Sequence, residues 1–146
     1  MSAAIEEMSE VWERFGRLTP YNAALGMELA AAPAGAWSLK LSYREDFIGD
    51  PDSGVVHGGV ISALLDVACA FAVFSRLKAL RMMATLDLRI DYLRPAAPGK
   101  AVFAGASCHK ITSELAFVRG VVHHDAPDDV IATGVAIYIF TEGTAA

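Results

Sequence analysis

Basic residues are few in this chain: lysine and arginine number 12 of 146 residues against 17 aspartates and glutamates, for a formal net charge of -5. No basic stripe for a phosphate backbone can be assembled from so few, which excludes nucleic acid as the main partner. Cysteine is scarcer still. Cys69 and Cys108 sit inside apolar periodic segments and not at a metal-ligand spacing, so two buried free thiols are expected, with no redox chemistry and no metal. Long hydrophobic runs are missing too. Val60 to Phe74, the most apolar stretch, is interrupted by Ser62 and Asp66 and falls short of the roughly 20 residues that span a bilayer. The N-terminus carries Glu6, Glu7, Glu10 and Glu13 and has no basic segment followed by an apolar one, so no secretory signal is read and the cytoplasm is the expected location.

What is present in quantity is apolar surface. Hydrophobic residues make up 54% of the chain, more than one core of this size needs, so an oligomer is expected to hide the remainder. Residues 3 to 16 read as an amphipathic helix, with Ile5, Met8, Val11, Trp12 and Phe15 at three- and four-residue steps. This N-terminal helix (1–18) precedes one domain (19–146). Thr19 and Pro20 open a short helix that ends at Gly26. Met27 to Ala32 and Ala36 to Tyr43 flank "APAG" as a hairpin, and residues 44 to 57 form a long loop.

The segment that follows, from about Gly58 to about Lys78, is a helix apolar almost all the way round. Four alternating segments come after it. In "ATLDLRIDYLRP" the alternation puts Leu86, Leu88, Ile90 and Tyr92 on one face and Asp87, Arg89 and Asp91 on the other. A helix apolar on every side must be enclosed. A single antiparallel sheet wrapped around it, with a second protomer behind, is the simplest enclosure: an α+β chain of the hotdog architecture.

Two features of the long helix point to chemistry. Its first turn, "HGG", has backbone N–H groups without intrahelical partners, and the glycines Gly58 and Gly59 leave room for an oxygen to reach them. Asp66 is the second. Its helical neighbours Ser62, Ala63, Cys69 and Ala70 are small and uncharged, so nothing on its own helix pairs with it and a ligand has space. Gly58 and Asp66 are eight residues apart, about 12 Å along a helix at ~1.5 Å per residue. One carbonyl cannot be held by both, so donor and carboxylate must come from different chains, paired across a two-fold axis.

His57-Gly58-Gly59, six intervening residues, Asp66, and then "TLDLRIDYLRPA" from Thr85 to Ala96 resemble the PaaI-type hotdog acyl-CoA thioesterases, over roughly residues 20 to 141. The resemblance implies hydrolysis of an acyl- or aryl-CoA to free acid and coenzyme A. It makes Asp66 the nucleophile or general base, the Gly58 amide the group that polarises the carbonyl, and Thr85 a hydroxyl that helps position water. The family often has an asparagine six or seven residues before the histidine; here Asp50 is the nearest match, and an ionised carboxylate cannot donate. His57 steadies the loop or touches substrate, with support the favoured role. Gly59 and Ser62 are candidate substrate contacts. Arg89 and Arg94, with His109 and Lys110, are candidates for the phosphates of coenzyme A. Coenzyme A is substrate here and no cofactor is expected. His123-His124 is no metal pair, because adjacent strand residues point to opposite faces. Partners are the acyl-CoA and further copies of the chain, as homodimer and homotetramer, with no membrane. Two other readings stay open: a non-catalytic acyl-CoA-binding hotdog domain, and a hotdog hydratase or dehydratase. The latter wants a histidine across from an acid, and His57 lies at the wrong end of the helix for it.

Overall fold

The computed structural model describes residues 3–32 and 36–141. Helix α1 (Ala3–Val11) runs into a single π-helical turn, Trp12–Gly16, so the helix expected over residues 3 to 16 is present but widens at its end. Trp12 is the cause. Its buried indole lies on Gly16, where a Cβ would stand 2.0 Å from the ring, and the wider turn closes with the Arg17 N–H donating to the Trp12 carbonyl at 2.8 Å. Helix α2 (Pro20–Leu25) follows an extended Thr19 and ends at Gly26, whose φ of 71° is left-handed. The Thr19 hydroxyl does not cap α2; it donates back to the Phe15 carbonyl at 2.7 Å.

Strands β1 (Glu28–Ala31) and β2 (Trp37–Leu41) pair as the expected antiparallel hairpin; its turn residues Pro33 to Gly35 lie outside the described residues. Helix α3 (Gly58–Phe74) stops short of the expected Lys78. Past Phe74 the chain turns off the helix: Ser75 Oγ donates to the Ala72 carbonyl at 2.9 Å, and the Arg76 guanidinium donates to the Cys108 carbonyl at 2.6 Å. Strands β3 (Met83–Tyr92), β4 (Val102–Ile111), β5 (Leu115–His123) and β6 (Val130–Phe140) complete a six-stranded antiparallel sheet in the order β1-β2-β4-β5-β6-β3. With α3 packed against β2, β3, β4, β5 and β6, this is the hotdog architecture.

Enclosure of α3 is one-sided. Ile61, Leu64, Leu65, Ala68, Cys69 and Ala72 are buried toward the sheet, whereas Ser62, Ala63, Asp66, Val67 and Ala70 form a half-buried stripe on the other side. The sheet approaches the helix closely because Gly120 of β5 and its register partner Gly134 of β6 have no side chains. A Cβ at these positions would lie 2.6 and 2.7 Å from the methyl carbons of fully buried Leu65. Overpacking of such a contact costs about 1–3 kcal/mol. Gly120→Val is therefore expected to lower the free energy of unfolding by that amount, read from denaturant titration, and combining it with Leu65→Ala is expected to recover part of the loss. Additive effects of the two changes would show that the contact does not limit the packing.

Strand β3 is an edge strand and carries an irregularity. Thr85 pairs with Tyr138 and Asp87 with Ile137, so Leu86 is the extra residue of a β-bulge. Leu88 and Ile90 face the core as the alternation predicts, but Leu86 does not: it is 57% exposed. Side-chain direction in a strand alternates strictly, and one inserted residue reverses it. An unbroken alternation that turned Leu88 inward would turn Thr85 outward. The bulge turns Thr85 toward α3 instead. Tyr92 also departs from the expected inward row; it is 51% exposed at the end of the strand, beside the first turn of α3.

Candidate active site

The long loop before α3 folds back on itself. Ile48 and Val56 form an antiparallel bridge, the His57 N–H donates to the Phe47 carbonyl at 2.8 Å, and Gly49 lies so close that a Cβ there would meet His57 Cα at 2.8 Å. Asp50 sits at the turn of this loop. One carboxylate oxygen accepts the Asp52 N–H at 3.2 Å and the other accepts the Ser53 hydroxyl, which holds this carboxyl below the usual carboxylate range. Both of its oxygens thus take part in shaping the loop.

The loop delivers His57 as the N-cap of α3. Its Nδ1 accepts the Gly59 N–H at 2.9 Å, which requires an unprotonated Nδ1, so the imidazole supports the helix entrance. That bond also occupies the Gly59 N–H, the atom a substrate contact at Gly59 would have used. The Gly58 N–H, by contrast, has no acceptor among the described residues. The peptide plane that follows it is held from the other side, since both Ser62 Oγ and the Tyr92 hydroxyl donate to the Gly58 carbonyl at 3.0 Å. Ser62 is thereby part of the helix entrance. Two residues with unusual backbone freedom are fixed by His57, Ser62 and Tyr92.

Asp66 lies two turns further along α3 and is half-buried. No ion pair reaches it among the described residues. Instead Thr85 Oγ1 donates to Asp66 Oδ1 at 3.0 Å, and the Tyr138 hydroxyl lies 3.0 Å from the same oxygen and 2.7 Å from the Asp66 backbone carbonyl. Thr85 and Tyr138 are cross-strand partners on β3 and β6, so the bulge after Thr85 is what lets both side chains converge on one carboxylate. Burial, and then the charge of Asp66, push the Tyr138 phenol well above its ordinary pKa, so it stays protonated and remains a donor. Asp66 Oδ2 has no partner among the described residues. A carboxylate with one oxygen held and the other open is oriented for work as a base or nucleophile.

Asp66 also lines a cavity of about 720 Å³ with predominantly apolar walls, among them Phe15, Val67, Ala70, Phe71, Phe74 and Met83. Within this wall Phe71, Phe74 and Phe15 pack edge-on or tilted against one another, and Trp12 packs edge-on against Phe71, which is how the N-terminal helices come to form part of it. The remaining candidates lie elsewhere. Arg94 donates to the Val130 carbonyl at 3.1 Å and to the carbonyl and carboxylate of Asp129, so it ties down the start of β6. Arg89 is exposed and pairs with Asp91 on the outer face of β3. His109 and Lys110 are exposed on β4. His124 is buried and bridges the Ala97 N–H and the Ala101 carbonyl, while His123 stacks on Phe103.

Both cysteines are buried as expected. Burial, and then the charge of Asp66, push the Cys69 thiol up to about 12, and burial raises that of Cys108. Only a thiolate attacks a disulfide reagent. In the folded protein at neutral pH neither cysteine is expected to react with the aromatic disulfide commonly used to read thiol release, and both are expected to react once the chain is unfolded. Rapid labelling of the folded protein would contradict this.

The family model of the thioesterase superfamily matches residues 53–131, which run from the loop before α3 into β6. The chain is 31% identical to the medium/long-chain acyl-CoA thioesterase YigI of Escherichia coli, an alignment that covers 95% of this chain and 99% of that protein. It resembles a crystal structure of a Pseudomonas aeruginosa protein with a TM-score of 0.80 at 36% identity, covering 92% of this chain and 99% of the other. In fold it also matches the PaaI protein from the phenylacetic acid degradation operon of E. coli, with a TM-score of 0.81 at 17% identity, covering 97% and 99% of the two chains. With sequence motif, architecture and relatives in agreement, the chain belongs to the thioesterase superfamily and has the hotdog fold that PaaI also has.

Proposed function

We propose that this enzyme hydrolyses medium- to long-chain acyl-CoA thioesters in sites built from two copies of the chain. One observation carries the reading: Asp66 has Oδ1 held by Thr85 and Tyr138 and Oδ2 open, at the wall of a large apolar cavity. The acyl chain occupies that cavity, where burial of each methylene contributes about 0.8 kcal/mol. The thioester carbonyl accepts the open Gly58 N–H at the positive end of α3, which stabilises the negative oxygen of the tetrahedral intermediate. Asp66 Oδ2 either takes the proton of an attacking water, which gives the free acid directly once the carbon–sulfur bond breaks, or attacks the carbonyl carbon itself to give an acyl–aspartate anhydride, which a water then hydrolyses to the free acid and the regenerated carboxylate. Collapse of the intermediate breaks the carbon–sulfur bond and releases coenzyme A as its thiolate, which is then protonated.

The second copy is required by distance. Gly58 and Asp66 lie on one straight helix, at about 12 Å from each other by helical rise, so the Gly58 that serves a given Asp66 belongs to the partner. Two features support this pairing: the half-buried stripe of α3 that contains Asp66, and the unpaired edge of β3 with Leu86 and Leu93 exposed at 57% and 60%. No helix among the described residues is long and apolar enough to cross a membrane. The test is thiol release from a ladder of straight-chain acyl-CoAs, from acetyl to palmitoyl. The expected result is kcat/KM rising from the short to the medium and long chains. Binding without thiol release from any of them would favour an acyl-CoA sensor instead.

A further inference from the structure

The apolar cavity beside Asp66 has a polar interruption that the hydrolysis reaction does not use. Asn22, on α2, lines the cavity and is only 6% exposed. Its Nδ2 donates to the Gly16 carbonyl at 3.0 Å, which fixes which end of the amide is nitrogen, because only N–H can donate to a carbonyl. Its Oδ1 accepts from no donor among the described residues, although it is not sealed away from the cavity. The polar neighbours do not account for it. Thr19 spends its hydroxyl on the Phe15 carbonyl, and Arg14, Tyr21 and Arg81 are exposed residues of the cavity rim.

Local structure does not require an amide here. The Gly16 carbonyl already accepts the Thr19 N–H at 3.3 Å, and α2 is closed by backbone bonds at Gly26 and Met27. A leucine at position 22 would leave neither end of α2 unpaired and would complete an apolar wall. No donor among the described residues meets this oxygen, so its donor comes from the cavity side, from water or from a ligand. In ligand cavities the few polar groups among apolar walls are the ones that select the ligand.

We infer that Asn22 Oδ1 accepts a hydrogen bond from the acyl group, and that the cavity selects aliphatic acyl thioesters with a hydroxyl along the chain. The inference rests on the reading that this cavity holds the acyl chain. A hydroxyl is the donor that fits. It is neutral, so it enters an apolar cavity without the cost of a charge, and it donates a proton that Oδ1, an acceptor only, can take. Asn22 lies on α2 and Asp66 on α3, so the hydroxyl belongs on the chain beyond the carbons next to the thioester. A volume of about 720 Å³ is in the range that encloses a whole drug-sized ligand, which suits a chain better than a single small ring.

The experiment is a hydroxyl walk. Thiol release by the wild-type enzyme is measured with dodecanoyl-CoA and with a series of monohydroxydodecanoyl-CoAs whose hydroxyl moves from the third carbon to the last. One position, or two adjacent ones, is expected to exceed the plain chain by about tenfold in kcat/KM, the size of one net hydrogen bond. The same series with Asn22→Leu, each rate taken relative to that variant's own rate with the plain chain, is expected to lose that maximum. A flat series with the wild-type enzyme, or a maximum that survives in Asn22→Leu, overturns the inference. The wild-type series decides the matter by itself if the variant fails to fold. Equal thiol release from every member defeats only the selectivity, whereas no release from any member defeats the thioesterase reading beneath it.

Discussion

Asp66→Asn is expected to lower kcat by about 10³-fold, within the span that a positioned general base contributes, while the variant stays folded and still binds acyl-CoA. The substitution keeps the side chain's shape. The asparagine oxygen can still accept from Thr85 and Tyr138, as Oδ1 does now at 3.0 Å from each. The change falls on the other atom: the open Oδ2 becomes an NH₂ group, which can neither take a proton from water nor attack a carbonyl. Stability should change little, because no ion pair is broken among the described residues. Steady-state thiol release, with binding measured by competition, separates these effects. Full activity in Asp66→Asn would remove the carboxylate from the mechanism altogether.

Gly58→Pro should be nearly as damaging, for a reason the backbone makes unusually clean. Proline lacks the N–H that the proposed mechanism offers to the thioester oxygen, and losing one oxyanion donor costs about 10²- to 10³-fold in kcat. Yet the position suits proline. Gly58 is the first residue of α3, where proline is favoured. His57 before it has φ -60° and ψ 134°, the extended conformation that a following proline demands. A Cβ at residue 58 would meet Tyr92 at 3.5 Å, ordinary contact. The expected outcome is a protein with an unchanged melting temperature whose kcat falls while KM moves little. Wild-type kcat would show that the oxyanion is held elsewhere.

Much of this was legible in the chain. The run from about Gly58 to about Lys78 read as a helix, which the structure ends at Phe74, and Asp66 stood out because Ser62, Ala63, Cys69 and Ala70 cannot pair with it. The hairpin of β1 and β2 and the short links between β3 and β6 likewise followed from alternation and turn residues. What the sequence could not give was register. Tyr138 reads as one more inward aromatic of a strand, and its role appears only when β6 lies beside β3 so that Tyr138 faces Thr85. The one available signal was that a buried tyrosine hydroxyl needs a partner. The bulge at Leu86 was illegible for the same reason: alternation was counted through it, which put Leu86 inward and gave no cause for Thr85 to face the helix. The partners of Arg94 and Asp50 were illegible too, because a charged residue near a motif has the same letter whether it meets a ligand or the backbone of Asp129 and Val130 or the turn at Ser53.

The claim that one chain's Asp66 works with its partner's Gly58 can be measured by mixing. Asp66→Asn and Gly58→Pro homodimers are prepared separately, each nearly inactive, then dissociated together and allowed to reassemble. In a mixed dimer one of the two sites receives both lesions and the other receives none, so random reassortment should restore about a quarter of wild-type activity. Activity that stays at the level of the parent variants after verified exchange would mean that each site draws both groups from a single chain, and the two-chain account would be wrong.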